Sequence, residues 1–287
     1  MDIDSNTLDR NADRIVTEIG IPPCPAILTR LLRETRAEEP DFRRIVRLVG
    51  GDVALASAVL KVTNSSFYGL RVKAASVQQA LALLGLKTVT QLVTGLLLRQ
   101  AFSGTVGPGM EHYWKSSMTI SLISALLSRE TGHGDSGIVC TYSLFRDCGM
   151  PVMLRKFPIY ADIFDGSALS PGEPVFEVEN ERYATNHACV GALLARSWHL
   201  PESLCCAILH HHDALYSADI RAEAGAEEGA LALIAIGLAA EQLYCLASGM
   251  VCQEWAIAEE WALSMLGLSV EKFYAIATRV NASINHL

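Results

Sequence analysis

The chain has 287 residues, enough for one large domain or two modest ones, and 51% of them are hydrophobic. With 23 Lys and Arg against 31 Asp and Glu, its net charge of -8 gives phosphate backbones no global attraction, so nucleic-acid binding is not expected. The longest apolar run, Gly229 to Ala240, has 12 residues, short of the roughly 18 to 20 that span a bilayer, and Met1-Asp2-Ile3-Asp4 does not open a signal peptide. A cytoplasmic protein with no membrane segment is therefore expected.

Taken in order, nearly every patterned segment has the helical period. Leu8, Ala12, Ile15, Val16 and Ile19 make one stripe, stopped by Gly20 and Pro22-Pro23. Pro25 suits the start of a helix carrying Ile27, Leu28, Leu31 and Leu32. Asp41 reads as the N-cap of a helix ending at Gly50-Gly51, and Asp52 as the cap of one running towards Asn64. Ser76-Val77-Gln78-Gln79 has the form of a capping box, and the helix it opens is punctuated by Gly85. Ser103 to Gly109 is the best boundary, dividing residues 1–105 from 106–287. Helices follow at about 111–130, 137–147, 150–156, 186–197 and 202–211. Asp165 to Pro174 and Asp213 to Glu228 read as loops, and three more helices finish the chain. No window alternates with period two, so the expected class is all-α.

Eight cysteines form no C-x-x-C pair and read as small buried hydrophobes. The chemistry-bearing residues are Arg146-Asp147, His187 and His210-His211-His212-Asp213. Neighbouring histidines on a helix point in different directions, so one or two of the three would reach a common pocket. Taken alone, the cluster reads as a solvated helix end. His187 changes that reading, because it opens the helix preceding the one that ends in the cluster. Two antiparallel neighbours would bring these residues together, and Asp147 could complete a set suited to Zn, Mn or Fe.

Three further stretches carry a family resemblance. They are Ile21-Pro22-Pro23-Cys24-Pro25, then Asn64-Ser65-Ser66-Phe67-Tyr68-Gly69, then Ser76-Val77-Gln78-Gln79-Ala80-Leu81 with Leu84-Gly85-Leu86. With these the chain resembles an HDOD domain over about residues 15–215. The resemblance implies a multi-helix bundle in which an N-terminal helical subdomain packs on a degenerate HD-like subdomain. It also implies a regulatory module of bacterial signal transduction whose partners are signalling proteins. Asn64, Ser65, Phe67, Tyr68 and Gly69 would then be structural.

An HD phosphohydrolase has an early His, a His-Asp pair, further histidines and a late Asp. Here Ser116 stands where the early His is expected, and the pair reads Arg146-Asp147. His187, His211, His212 and Asp213 match the distal positions. Serine is a poor neutral ligand and arginine does not deprotonate. Two unit charges 4 Å apart repel by about 4 kcal/mol at an effective dielectric of 20. No metal or other cofactor is expected, and an enzyme is less expected than a scaffold. The guanidinium of Arg146 is expected in the metal's place, paired with Asp147 or another acceptor. The alternatives are a phosphohydrolase or phosphodiesterase using Mn, Fe, Zn or Mg on Asp147, His187, His211 and His212, and a small-molecule or nucleotide sensor.

Overall fold

A computed structural model describes residues 19–65, 68, 70–104, 109–169, 173–212 and 229–284. Among these the regular structure is helical, without a strand. The N-terminal half contains α1 (Ala26–Thr35), α2 (Phe42–Gly50), α3 (Val53–Thr63) and α4 (Val77–Ala101). Next come α5 (Met110–Thr131), α6 (Ser136–Phe145), α7 (Gly149–Lys156) and the short α8 (Ala161–Phe164). The chain continues through α9 (Val175–Tyr183), α10 (His187–Ser197) and α11 (Glu202–Leu209). It closes with α12 (Ala230–Ser248), α13 (Trp255–Met265) and α14 (Val270–Ile284).

Local chemistry sets the helix starts. Asp41 accepts from the backbone N–H groups of Arg43 and Arg44, Asp52 from Leu55, and Ser76 from Gln79. The Gln79 side chain reaches back to the Ala75 N–H, so the cap is reciprocal. Gly85 has φ +81° and ψ 163° and breaks α4 into two arms. Only glycine adopts that conformation without strain.

The structure departs from the periodicity reading in four places. Helices α8 and α9 occupy residues left without an element, and α6 and α11 end at Phe145 and Leu209, each two residues early. The stripe from Leu8 to Val16 and the loop from Asp213 to Glu228 lie outside the described residues. So do residues 105–108, within the expected boundary.

Buried side chains from Ile21 to Val280 form one continuous hydrophobic cluster. Trp198 is fully buried, stacks edge-on against Phe145, and donates its indole N–H to the carbonyl of Pro22 at 2.9 Å. The Ile-Pro-Pro-Cys-Pro segment is thereby tied to the second half of the chain. Asn64 closes the loop after α3 from both sides, donating to Ala74 O at 2.9 Å and accepting from Ala74 N–H at 2.7 Å. Ser65 and Tyr68 lie in that loop, whereas Ser66, Phe67 and Gly69 are outside the described residues. Helices α4 and α12 are long and apolar enough to cross a membrane by length and composition, but much of each is buried against other helices. Core helices of a folded domain have the same character.

Candidate functional site

Close backbone packing builds the site. Gly149 opens α7 against the start of α10. A Cβ there would lie 2.0 Å from the carbonyl oxygen of His187 and 2.8 Å from the amide of Gly191. Cys148 fills the adjoining space, its thiol 3.8 Å from Gly191 O. This contact carries Asp147, just before α7, to His187, the first residue of α10. Helix α11 runs back beside α10 and ends with His210 as its C-cap. His211 and His212 therefore lie beyond the helix, where the divergence of neighbouring helical side chains no longer separates them. Both rings turn inward, 3.9 Å apart between centroids. The solvated-helix-end reading fails here, since His211 is only 2% exposed.

Arg146 is buried. Its Nη2 donates to Asp147 Oδ2 at 2.9 Å and its Nε lies 3.2 Å from both carboxylate oxygens. Its Nη1 donates to Glu241 Oε2 at 2.9 Å. Burial opposes the charge, but the two carboxylates hold the guanidinium protonated well beyond its ordinary range. Burial would likewise raise the Asp147 carboxyl; Arg146 overcomes it and holds that group well below the usual carboxylate range. Burial raises the Glu241 carboxyl despite the same arginine. Among the described residues the guanidinium makes no hydrogen bond to the three imidazoles, which contact one another instead. It stands on the carboxylate edge of the cluster, not among the rings.

The imidazoles are oriented from behind. Glu179, fully buried on α9, accepts from His187 Nδ1 at 2.7 Å and from the His187 backbone N–H at 2.8 Å. Tyr160 donates its hydroxyl to the other Glu179 oxygen. Burial favours the neutral acid at Glu179, yet the His187 imidazole lowers its pKa below the ordinary value. The reciprocal effect raises His187 against the pull of burial. His211 Nδ1 lies 2.7 Å from Ile208 O, and a carbonyl only accepts. His212 Nδ1 meets Glu254, and Phe176 stacks on the ring at 4.8 Å. Burial and neighbouring imidazoles push His211 down to about 4 and His212 down to about 3. Burial raises the Glu254 carboxyl.

The Ile208 carbonyl places the His211 proton on Nδ1, and the carboxylates favour the same tautomer at His187 and His212. With each Nδ1 hydrogen committed to an acceptor, the neutral rings present bare Nε2 lone pairs. The Nε2 atoms of His187 and His212 face each other at 2.9 Å. His211 Nε2 is buried without a hydrogen-bond partner and lies 3.4 Å from Asp147 Oδ1. His187 Nε2 is 3.8 Å from the same oxygen. One potential ligand atom from each histidine lies within 4.8 Å of the others. Lone pairs converging on one point are stabilised by a proton or a metal cation. Three imidazoles and a carboxylate, each ring backed at Nδ1 by a carboxylate or carbonyl, fit one divalent ion. The expectation that no metal binds thus stands beside a donor set that accommodates one.

Ser116 also borders this region. It lines a small cavity of about 160 Å³ with Arg146, Asp147 and Glu241, but its hydroxyl is committed to Tyr113 O at 2.9 Å. Asp213 lies outside the described residues. A larger cavity of about 740 Å³ opens onto Arg146, Asp147, His187, His212, Glu241 and Glu254. The sequence reading missed Glu179, Glu241 and Glu254. The available signal was a glutamate set into apolar helical surroundings, as Glu241 is directly after the run ending at Ala240.

An all-helical bundle with a His-Asp cluster between antiparallel helices defines an HD-like protein. More narrowly, residues 21–214 match the HDOD domain family, and the chain belongs to it. Its fold is shared with an HDOD domain protein of unknown function from Geobacter sulfurreducens. That pair has TM-score 0.73 and 21% identity, covering 98% of this chain and 96% of the other. A protein of Shewanella amazonensis SB2B, provisionally described as a phosphohydrolase, gives TM-score 0.72 at 18% identity, covering 96% and 93%. One from Marinobacter aquaeolei VT8, provisionally described as a signal transduction protein, gives 0.69 at 19%, covering 99% and 66%. In sequence the chain is 24% identical over 205 residues to an uncharacterized protein of Treponema pallidum (strain Nichols). That match takes in 70% of this chain but 39% of the relative's length.

Proposed function

We propose that this chain is a regulatory module of bacterial signal transduction that works in the cytoplasm by binding signalling proteins. The observation that carries this reading is the buried Arg146 between Asp147 and Glu241. The guanidinium occupies both oxygens of the carboxylate that a hydrolytic centre needs as a ligand, and adds a fixed positive charge beside any cation. A carboxylate held this way serves cohesion of α6, α7 and α12 rather than turnover. The reading predicts no hydrolysis of phosphomonoesters or phosphodiesters with Mn, Fe, Mg or Ni above that of the Asp147→Ala variant. It further predicts saturable, stoichiometric binding of a purified signalling partner that the same variant retains if folded. Metal-dependent turnover abolished by Asp147→Ala would sink it.

A second reading, a metal-dependent phosphohydrolase, is favoured by the converging Nε2 atoms. His187, His211, His212 and Asp147 would hold the ion. When bound, the ion would supply Lewis-acid polarisation of a phosphoryl oxygen and an activated water. Glu179 and Glu254 would orient two of the rings. Metal analysis of protein purified without chelators tests this separately. One ion per chain, lost in His211→Ala, supports the second reading, and a metal content unaffected by that change removes its basis.

A further inference from the structure

The N-terminal half carries a charge cluster that runs against the rest of the chain. Residues 30–47 hold six arginines, no lysine and four acidic residues (Glu34, Glu38, Glu39 and Asp41), a local positive excess in a protein of net charge -8. Arg30 and Arg33 lie one turn apart on α1, and Arg44 and Arg47 one turn apart on α2. The two helices pack together, and these four arginines line a single cleft of about 490 Å³ with Glu34 and Leu48. All four arginines are exposed.

Among the described residues Glu34 and Asp41 are the acids that pair with the cleft arginines, both with Arg44. Glu34 lies 3.7 Å from Arg44 and also accepts from the Asp41 N–H, and Asp41 lies 3.5 Å from Arg44. Among the described residues Arg30, Arg33 and Arg47 have no ion pair. Like charges gathered in one cleft repel one another and focus a positive potential, which an anion relieves. Guanidinium forks match phosphate oxygens two at a time. Acidic peptides space single charges along an extended chain. A polyphosphate concentrates several charges within the width of one cleft, and so suits four arginines that line the same cleft better.

We propose that the α1–α2 arginine cleft is a binding site for a compact polyphosphate anion, either inorganic or the phosphate tail of a nucleotide. The site is separate from the His-Asp cluster and does not rest on the regulatory reading. The test is calorimetric titration of the intact chain with inorganic tripolyphosphate at low salt, beside a nucleoside triphosphate and an oligoglutamate. Tripolyphosphate is expected to bind one per chain, with affinity falling as salt rises because the cleft is open to screening. The double variant Arg33→Gln, Arg47→Gln is expected to weaken it at least tenfold with an unchanged melting temperature. Arg71→Gln, away from the cleft, should leave it unchanged. A nucleoside triphosphate binding tighter than tripolyphosphate would assign the nucleotide source; equal or weaker binding would assign the inorganic one. No binding, binding indifferent to the double variant, or tighter binding of oligoglutamate would each overturn the proposal.

Discussion

Arg146 and the three imidazoles distribute charge differently, and each arrangement has its own consequence. The arginine separates two carboxylates that would otherwise face each other. Arg146→Leu removes one partner of a largely buried network and leaves Asp147 and Glu241 uncompensated. A loss of about 3–5 kcal/mol is expected in urea denaturation. Arg146→Lys should recover only part of it, because an ammonium cannot span both carboxylates as the planar fork does. The histidines bring a pH dependence, best read on chelator-stripped protein. His211 and His212 are neutral in the fold down to about 4 and about 3, whereas in the unfolded chain they take up protons near pH 6.5. Each therefore costs stability as pH falls below 6.5, by about 1.4 kcal/mol per pH unit. His187, raised, contributes in the opposite sense: its share is present below pH 6.5 and is lost as pH rises through its folded value. Burial raises Glu241 and Glu254 as well, so each takes up its proton in the fold before the unfolded chain does and makes the decline shallower. Urea midpoints should fall from pH 6.5 to 5, and His211→Gln should flatten the fall. A midpoint rising over that interval would contradict the assigned ring states.

At the scale of elements, the site depends on how closely α7 approaches α10. Gly149→Ala places a methyl 2.0 Å from a backbone oxygen, which no rotamer change relieves. Overpacking of this kind costs about 3 kcal/mol or more, at or beyond the usual upper range. The change should also displace Asp147 from His187, seen as altered imidazole resonances in NMR spectra. Ordinary stability with unshifted histidine signals would argue against this contact as the site's anchor. Helix starts were legible because a cap is a local event. Asp41, Asp52 and Ser76 each satisfy backbone donors two or three residues on. Helix α9 was not, because its polar residues Glu177, Asn180, Glu181 and Arg182 dilute the stripe of Val175, Phe176 and Val178. Glu179, the residue that orients His187, was lost with it.

Across the whole molecule, Trp198 links the segment before α1 to the α10 end. Trp198→Phe keeps the ring against Phe145 but leaves the buried Pro22 carbonyl without its donor. A loss of about 1–3 kcal/mol is expected. It should come with faster hydrogen exchange of amides near residues 19–28, and unchanged exchange there would deny the linking role. The sequence by itself determined the helical class, most helix positions, the family and the residues of the His-Asp cluster, because periodicity, caps and short motifs are written in adjacent residues. Only the tertiary structure decided what surrounds that cluster. Glu179 on α9, Glu241 on α12 and Glu254 just before α13 are brought to one place by packing; Glu179 and Glu254 orient two of the rings, and Glu241 helps set the arginine's place. The early end of α11 turned two neighbouring histidines the same way, which helical geometry alone would have forbidden. Burial and long-range electrostatics act through space rather than along the chain, so the state of the site could be read only after the helices were packed.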